Sequence, residues 1–237
     1  MKRLDKLLAD LNIGSRSQVK DLIKKGKVTV NGNIVKAPEQ KISEEDVITC
    51  DGKSVSGDTY FYYMLNKPDG YVSATEDMNE QTVLDLFEKP IPKGLFPVGR
   101  LDKNTEGLLL VTNDGDLGHY LTSPKHHVPK TYYVKTKHTL NEANIAALQN
   151  GVDIQEKELT KPALVEVIQD KEYYITITEG KFHQVKRMME AVGTKVVYLK
   201  RISMGEFKLD ENLKSGEYRA LNERELEYVK KYKSRNL

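Results

Sequence analysis

Two side chains that could do chemistry together stand two residues apart near the middle of the chain, Arg100 and Asp102. They belong to the run Pro-Val-Gly-Arg-Leu-Asp-Lys-Asn-Thr-Glu-Gly-Leu-Leu-Leu-Val-Thr-Asn-Asp-Gly at residues 97–115. A carboxylate can attack carbon or remove a proton, and a neighbouring guanidinium can orient it. The apolar run at 107–111 reads as a buried strand, so the pair sits on a loop fixed to a rigid element. Taken alone, such an Asp equally suits an Asx-turn or a helix cap. Asp46, Asp85 and Asp153 have no comparable surroundings.

Charge gives a second lead. The 237 residues carry a net charge of +2, yet residues 1–36 hold nine Lys/Arg against three acids, a net of +6. The remainder therefore sums to −4. A basic head on a slightly acidic body is a footprint for a polyanion. Arg16, Lys20, Lys24 and Lys27 follow helical spacing, which gathers cations on one face. Val19, Leu22 and Ile23 form an apolar stripe on another face, so the cations stay in water and can meet successive phosphates.

The elements that must position these groups follow from periodicity. Leu4, Leu7, Leu8 and Leu11 predict a first helix. Ser15 is a candidate N-cap for a second, with Gly26 as its stop. Residues 27–30 read as a strand, Asn31-Gly32 as a hairpin turn, and Val35 and 47–49 as further short strands. The small, polar stretch at 51–58 reads as a linker between a head at 1–50 and a body at 59–237. In the body, strands are expected at 60–65, 107–112, 130–137, 163–168, 173–178, 196–202 and 217–221. Helices are expected at 81–87, 116–121, 141–150, 182–192 and 223–232. Strand runs with irregularly placed helices predict an α+β body with a mostly antiparallel sheet.

Composition narrows the setting. An apolar share of 38% and a charged share of 30% fit a soluble globular chain, and no run approaches the ~18 apolar residues of a membrane span. The charged start lacks a signal-peptide core, and Cys50 is the only cysteine, so a cytoplasmic protein without disulfides is expected. Four of the five histidines lie between His119 and His138, but no Cys or carboxylate completes a recognised zinc spacing. No Gly-rich phosphate loop is present either.

Several blocks match known families. Arg3-Leu-Asp-Lys-Leu-Leu, Ser15-Arg16-Ser17-Gln18 and Ile23-Lys-Lys-Gly26-Lys-Val-Thr-Val-Asn31-Gly32 resemble the S4 RNA-binding module, a helix pair on a small sheet. That resemblance implies RNA binding through Arg3, Arg16, Lys20, Lys24 and Lys25. The complete Gly-Arg-Leu-Asp-x-x-Thr-x-Gly-Leu-Leu pattern at 99–109 resembles the catalytic motif of pseudouridine synthases. Asn66-Lys67-Pro68-x-Gly70, Lys130-Thr-Tyr132 and Glu179-Gly-x-x-x-Gln184-Val-Lys186-Arg187-Met resemble three more blocks of the same family, in family order. The tracts at 122–132, 159–163 and 180–188 are similar to the RsuA-type branch, which acts on small-subunit (16S) ribosomal RNA.

The resemblance implies a cofactor-free isomerase that breaks the N1–C1′ bond of a flipped-out uridine, rotates the base and rejoins it through C5. Asp102 is then the carboxylate acting on ribose C1′ or C2′. Lys186 is its counter-charge, Tyr132 stacks on the base, and Arg100 orients Asp102 or fills the gap left by the base. Arg187 is expected to meet phosphate, and His126, His127 and Lys130 to contact RNA. The expected partner is 16S ribosomal RNA, alone or in an assembly particle, met by a monomer away from any membrane. Three other readings stay open. One is an RNA-binding assembly factor without catalysis, and another is a synthase for large-subunit RNA. The third is an RNA hydrolase in which Glu106 joins Asp102 as a second carboxylate.

Overall fold

The structure is a computed structural model that describes residues 2–11, 13–43, 45–55 and 60–234. The chain divides into two compact units, Met1–Phe61 with Lys89–Leu95, and Tyr62–Glu88 with Phe96–Leu237.

The first unit begins with β1 (Lys2–Arg3), α1 (Leu4–Asp10) and α2 (Arg16–Lys24). Leu4, Leu7 and Leu8 of α1 and Val19 and Ile23 of α2 are buried in one cluster, as the spacing of four predicts. Ser15 caps α2 in a reciprocal box: its Oγ accepts from the Gln18 N–H, and the Gln18 Oε1 accepts from the Ser15 N–H at 2.8 Å. β2 (Val28–Val30), β3 (Asn33–Ile34), β4 (Lys41–Ile42), β5 (Ile48–Cys50) and β6 (Lys53–Val55) follow. Four of them make a sheet in the order β3-β2-β5-β6, while β4 pairs with β1.

The linker expectation needs correction here. Asp51 and Gly52 both have positive φ and form a hairpin turn, and Lys53–Val55 pairs back on β5 with Val55 buried against Ile48. The polar stretch hid a strand because only its last residue faces the core. The rest of the expected linker, 56–58, lies outside the described residues.

The second unit is built on one large sheet. Its elements are β7 (Tyr62–Lys67), β8 (Phe96–Pro97), β9 (Glu106–Thr112), α3 (Gly115–Thr122), β10 (Lys130–Thr136), α4 (Glu142–Asn150), β11 (Leu164–Gln169) and β12 (Glu172–Ile177). Then come α5 (Gln184–Ala191), β13 (Val196–Met204), β14 (Phe207–Lys208), β15 (Tyr218–Ala220) and α6 (Glu223–Ser234). The strand order is β11-β12-β10-β13-β9-β7-β15, with β14 on β13 and β8 on β9. The ladders are antiparallel except β9 with β13. This is the expected α+β body. Residues 81–87 differ: Thr82 is taken up in a bridge with Val72, leaving room for a single 3-10 turn at Val83–Leu86.

Alternation along β10 is strict. Lys130, Tyr132 and Val134 are buried, while Thr131, Tyr133 and Lys135 point the other way. Leu108, Leu110, Leu117, Leu121, Phe207 and Val229 form a core that fixes α3 and α6 to β9. Burying such side chains contributes about 1.5–3 kcal/mol each, which makes β9 a stiff support for the loop before it.

Candidate active site

The loop between β8 and β9 carries Arg100 and Asp102. Its backbone is tied down residue by residue. Gly99 takes φ +76°, a conformation that favours glycine. Ser73 brackets the next turn: its Oγ accepts from the Leu101 N–H at 3.0 Å and donates to the Leu101 carbonyl at 2.9 Å. Thr105 N–H donates to the Asp102 carbonyl at 3.0 Å.

The strongest tie is Lys67 at the end of β7. It is fully buried, and its Nζ donates to the carbonyls of Pro68 (3.0 Å), Lys103 (3.0 Å) and Thr105 (2.9 Å). An ammonium has three protons, and all three are used. Burial pulls its pKa down to about 8, a shift that Asp69, Glu106 and Asp102 oppose. The Asn-Lys-Pro block is therefore the clamp of the Asp102 loop.

Asp102 faces α5. Lys186 Nζ donates to its Oδ2 at 2.6 Å and to Asn104 Oδ1 at 2.6 Å. His183 Nε2 lies 3.6 Å from its Oδ1. The Asp102 and Lys186 side chains are only 25% and 20% exposed, so water screens the pair weakly. The start of α5 fixes Lys186 in place. Gln184 is buried; its Nε2 donates to Glu179 Oε1 at 2.7 Å and its Oε1 accepts from the Lys181 N–H at 2.9 Å. Val185, Met188 and Met189 bury the opposite face of the helix. His183 takes the left-handed conformation at φ 50° and stacks on Phe182, which is largely exposed.

These groups surround a cavity of about 840 Å³. Tyr132, Lys130, Leu199, Arg201 and Met204 supply strand side chains, Arg100 to Lys103 one wall, and Gly180 to Val185 the other. A concave, partly apolar cavity with a few convergent polar groups is the usual form of a small-ligand site. Asp102, Lys186 and Tyr132 thus come together although 84 residues separate the first two.

Other expected positions depart from the sequence reading. Arg100 is exposed on the cavity wall, and the groups against Asp102 are the Lys186 ammonium and the His183 ring, so the orienting alternative is not realised. Lys130 is no surface cation: it is buried, donates to the Val128 carbonyl at 3.0 Å, and has its pKa pulled down to about 8 by burial and then by Arg201. Its alternate place on β10 turns it inward. Arg187 is held by Glu156 at 2.8 Å, the Phe182 carbonyl at 3.2 Å and the Ile154 carbonyl, which leaves it engaged within the chain. His126 stacks on Tyr120, and exposed His127 accepts from Lys161 at 2.8 Å; neither lines the cavity. Glu106 accepts from Tyr198 at 2.9 Å. Tyr198 belongs to the opposite face of the sheet, so Glu106 is no partner carboxylate for Asp102.

In the first unit, Arg16, Lys20, Lys24 and Lys25 are exposed and make no ion pair among the described residues. Arg3 differs: Asp5 grips it at 3.0 and 2.9 Å. Lys67, Ser73, His183 and Arg201 are site residues that the sequence reading gave no role. Lys67 stood inside a recognised block, whereas Arg201 follows Lys200 in a strand outside every recognised block and gave no signal.

Comparison with known proteins agrees with this architecture. Residues 61–191 match the family described as RNA pseudouridylate synthase, and residues 2–48 match the S4 domain. An uncharacterized RNA pseudouridine synthase, YtzG, of Bacillus subtilis is 48% identical over 233 residues, covering 94% of this chain and 96% of its own. Ribosomal small subunit pseudouridine synthase A of Haemophilus influenzae is 43% identical, with 97% and 100% covered. The protein of the same name in Escherichia coli K12 is 42% identical, with 96% and 99% covered. A crystal structure of a pseudouridylate synthase superposes with a TM-score of 0.68 at 42% identity, over 96% of this chain and 99% of that one. The chain belongs to the RNA pseudouridylate synthase family, isomerases of uridine in RNA. Among the described residues no helix is long and apolar enough to cross a membrane.

Proposed function

We propose that this enzyme converts one uridine of small-subunit (16S) ribosomal RNA to pseudouridine, with Asp102 as the catalytic carboxylate. Residues 1–50 serve as the RNA-binding head and residues 59–237 as the catalytic body. The chain works as a cytoplasmic monomer on RNA that is free or within an assembly particle. The single observation that carries the reading is the 2.6 Å Lys186–Asp102 pair, whose carboxylate lines one cavity with Tyr132. The near full-length likeness to proteins named for the small ribosomal subunit supports the choice of RNA.

The target uridine leaves its stack, at a cost of a few kcal/mol offset by contacts in the cavity. Lys186 holds and aims the Asp102 carboxylate through their charged hydrogen bond. The carboxylate then bonds to C1′, or takes a proton from C2′, and the N1–C1′ electron pair departs with the base. After rotation a ring electron pair forms the C5–C1′ bond. Asp102 leaves C1′, or returns its proton to C2′. The C5 proton is lost and N1 gains one, so the net change is an isomerisation. Tyr132 stacks on the uracil, and its hydroxyl assists removal of the C5 proton. Arg100, exposed at the wall, fills the space the base vacates. Arg3, Arg16, Lys20, Lys24 and Lys25 of the head, with His126 and His127, meet the RNA backbone.

The test is mass-tag detection of pseudouridine after the purified enzyme is incubated with deproteinised small- or large-subunit RNA, or with assembly particles. One new pseudouridine in small-subunit RNA is expected. Product in large-subunit RNA alone contradicts the substrate, and binding without product contradicts catalysis.

A further inference from the structure

Arg201 is among the largest fully buried side chains of the molecule, at 2% exposure. Its Nε donates to the Leu108 carbonyl at 2.8 Å, but its Nη2 has no hydrogen-bond partner. No carboxylate pairs with it among the described residues. The two carboxylates on its cavity are committed elsewhere. Asp102 is paired with Lys186, and Asp77 accepts from the Asn79 and Glu80 N–H groups at 2.9 and 3.0 Å. A buried charge normally has a counter-charge or a full set of hydrogen bonds, and leaving it without them is costly.

A second cation sits beside it. Lys130 lines the same cavity with one hydrogen bond from its Nζ, and its lowered pKa registers the Arg201 charge. The cavity therefore has two buried cations and no anion to match them. Their place identifies the missing group. Arg201 stands opposite Tyr132 in the β10–β13 register, and opposite Gly107 on its other side. Gly107 is required there: with φ +98°, a Cβ would come within 2.3 Å of the Arg201 carbonyl oxygen. Arg201 is thus at the tyrosine end of the cavity, where the base lies in the proposed reaction, and not among the exposed Arg100, Lys103 and Phe182.

Uridine carries no charge at its base before reaction. When N1–C1′ breaks, the electron pair stays on uracil, and the negative charge spreads over N1, O2 and O4. It persists until a ring pair forms C5–C1′, after which C5 gives up a proton and N1 takes one. We infer that Arg201, with Lys130 beside it, binds a uracil carbonyl and stabilises the base as an anion while it is detached from the ribose. The role is the same whether Asp102 acts on C1′ or C2′, because both routes release the same anion. Donors aimed at charge that develops only during reaction contribute most to rate in a site shielded from water.

This inference rests on the proposed uridine site, and the experiment separates the two. Single-turnover cleavage of N1–C1′ is measured with RNA bearing uridine or 5-fluorouridine at the target. The fluorine makes the departing anion intrinsically more stable, so it needs the cations less. Arg201→Gln is expected to slow uridine cleavage roughly 100-fold or more, with RNA affinity and melting temperature near wild type. The defect on 5-fluorouridine is expected to be about tenfold smaller. Lys130→Met shows the same selectivity at lower amplitude, and Arg201→Lys recovers part of the rate. These two variants carry the test should Arg201→Gln fold poorly. Equal slowing of both substrates by the variants overturns the inference and leaves Arg201 as a pin between β9 and β13. Failure of the wild type to isomerise uridine, or full activity of Asp102→Asn, overturns the site reading itself.

Discussion

The two units use positive charge in opposite ways. On α2 of the first unit and at its C-terminal cap, Arg16, Lys20, Lys24 and Lys25 stand in water without ion pairs among the described residues. In the second unit, Lys67, Lys130 and Arg201 are buried, and Lys186 is held against Asp102 at 2.6 Å. Exposed cations gain little from any one neighbour and act by releasing counterions from a polyanion, an effect that weakens with salt. Buried cations act at one point, at fixed geometry, and are screened little. The first arrangement suits affinity without fine placement; the second suits chemistry at a chosen atom. Salt and substitution should therefore separate the two units experimentally.

The largest effect is expected from Lys186→Met. Without its counter-charge Asp102 is left partly buried and unpaired, and turnover is expected to fall about 10³-fold while RNA affinity stays within about twofold. Single-turnover rates and filter binding check this. A parallel fall in affinity would erase the division between units. Next is Lys67→Met, which removes three charged hydrogen bonds from the Asp102 loop. A loss of roughly 2–4 kcal/mol in urea unfolding is expected, with reduced turnover. Unchanged stability would mean that the clamp is dispensable.

In the first unit, replacing Arg16, Lys20, Lys24 and Lys25 together with Gln is expected to weaken binding. The slope of log affinity against log salt should become shallower by about 3. Turnover at saturating RNA should hold. An unaltered slope would contradict the role of this face.

The smallest effect is in pH. Lys67 and Lys130 sit at about 8 in the fold, against an ordinary 10.5. Between those values the unfolded chain holds more protons than the folded one, so unfolding free energy rises with pH. Each group contributes at most about 1.4 kcal/mol per pH unit there. Comparing wild type with Lys130→Met by urea unfolding at pH 8 and pH 9.5 should show the wild type gaining on the variant. Parallel curves would mean that Lys130 is not shifted.

Much of this was legible in the residues. Strict alternation placed Tyr132 and Tyr133 on opposite faces, and the capping signal at Ser15 located the start of α2. Seven of the nine strands of the large sheet fell within a few residues of their expected bounds because β-branched and apolar runs mark them; the two-residue strands Phe96–Pro97 and Phe207–Lys208 are too short to carry a pattern. What escaped depends on tertiary context. A polar strand such as Lys53–Val55 has no pattern of its own; its partner β5 makes it. The inward turn of Lys130 follows from its alternate place on β10, but its residue type suggested surface. Arg187 is captured by Glu156 across 31 residues, a distance that no local spacing reveals. The charge of Arg201 is conspicuous only once its surroundings are known to lack an anion.

The most direct test compares wild type with Asp102→Asn on purified small-subunit ribosomal RNA, with affinity, salt slope and pseudouridine measured on the same preparations. The account predicts equal affinity and equal salt slope, with one pseudouridine per RNA for the wild type and none for the variant. Pseudouridine formed by Asp102→Asn at an appreciable rate would contradict it.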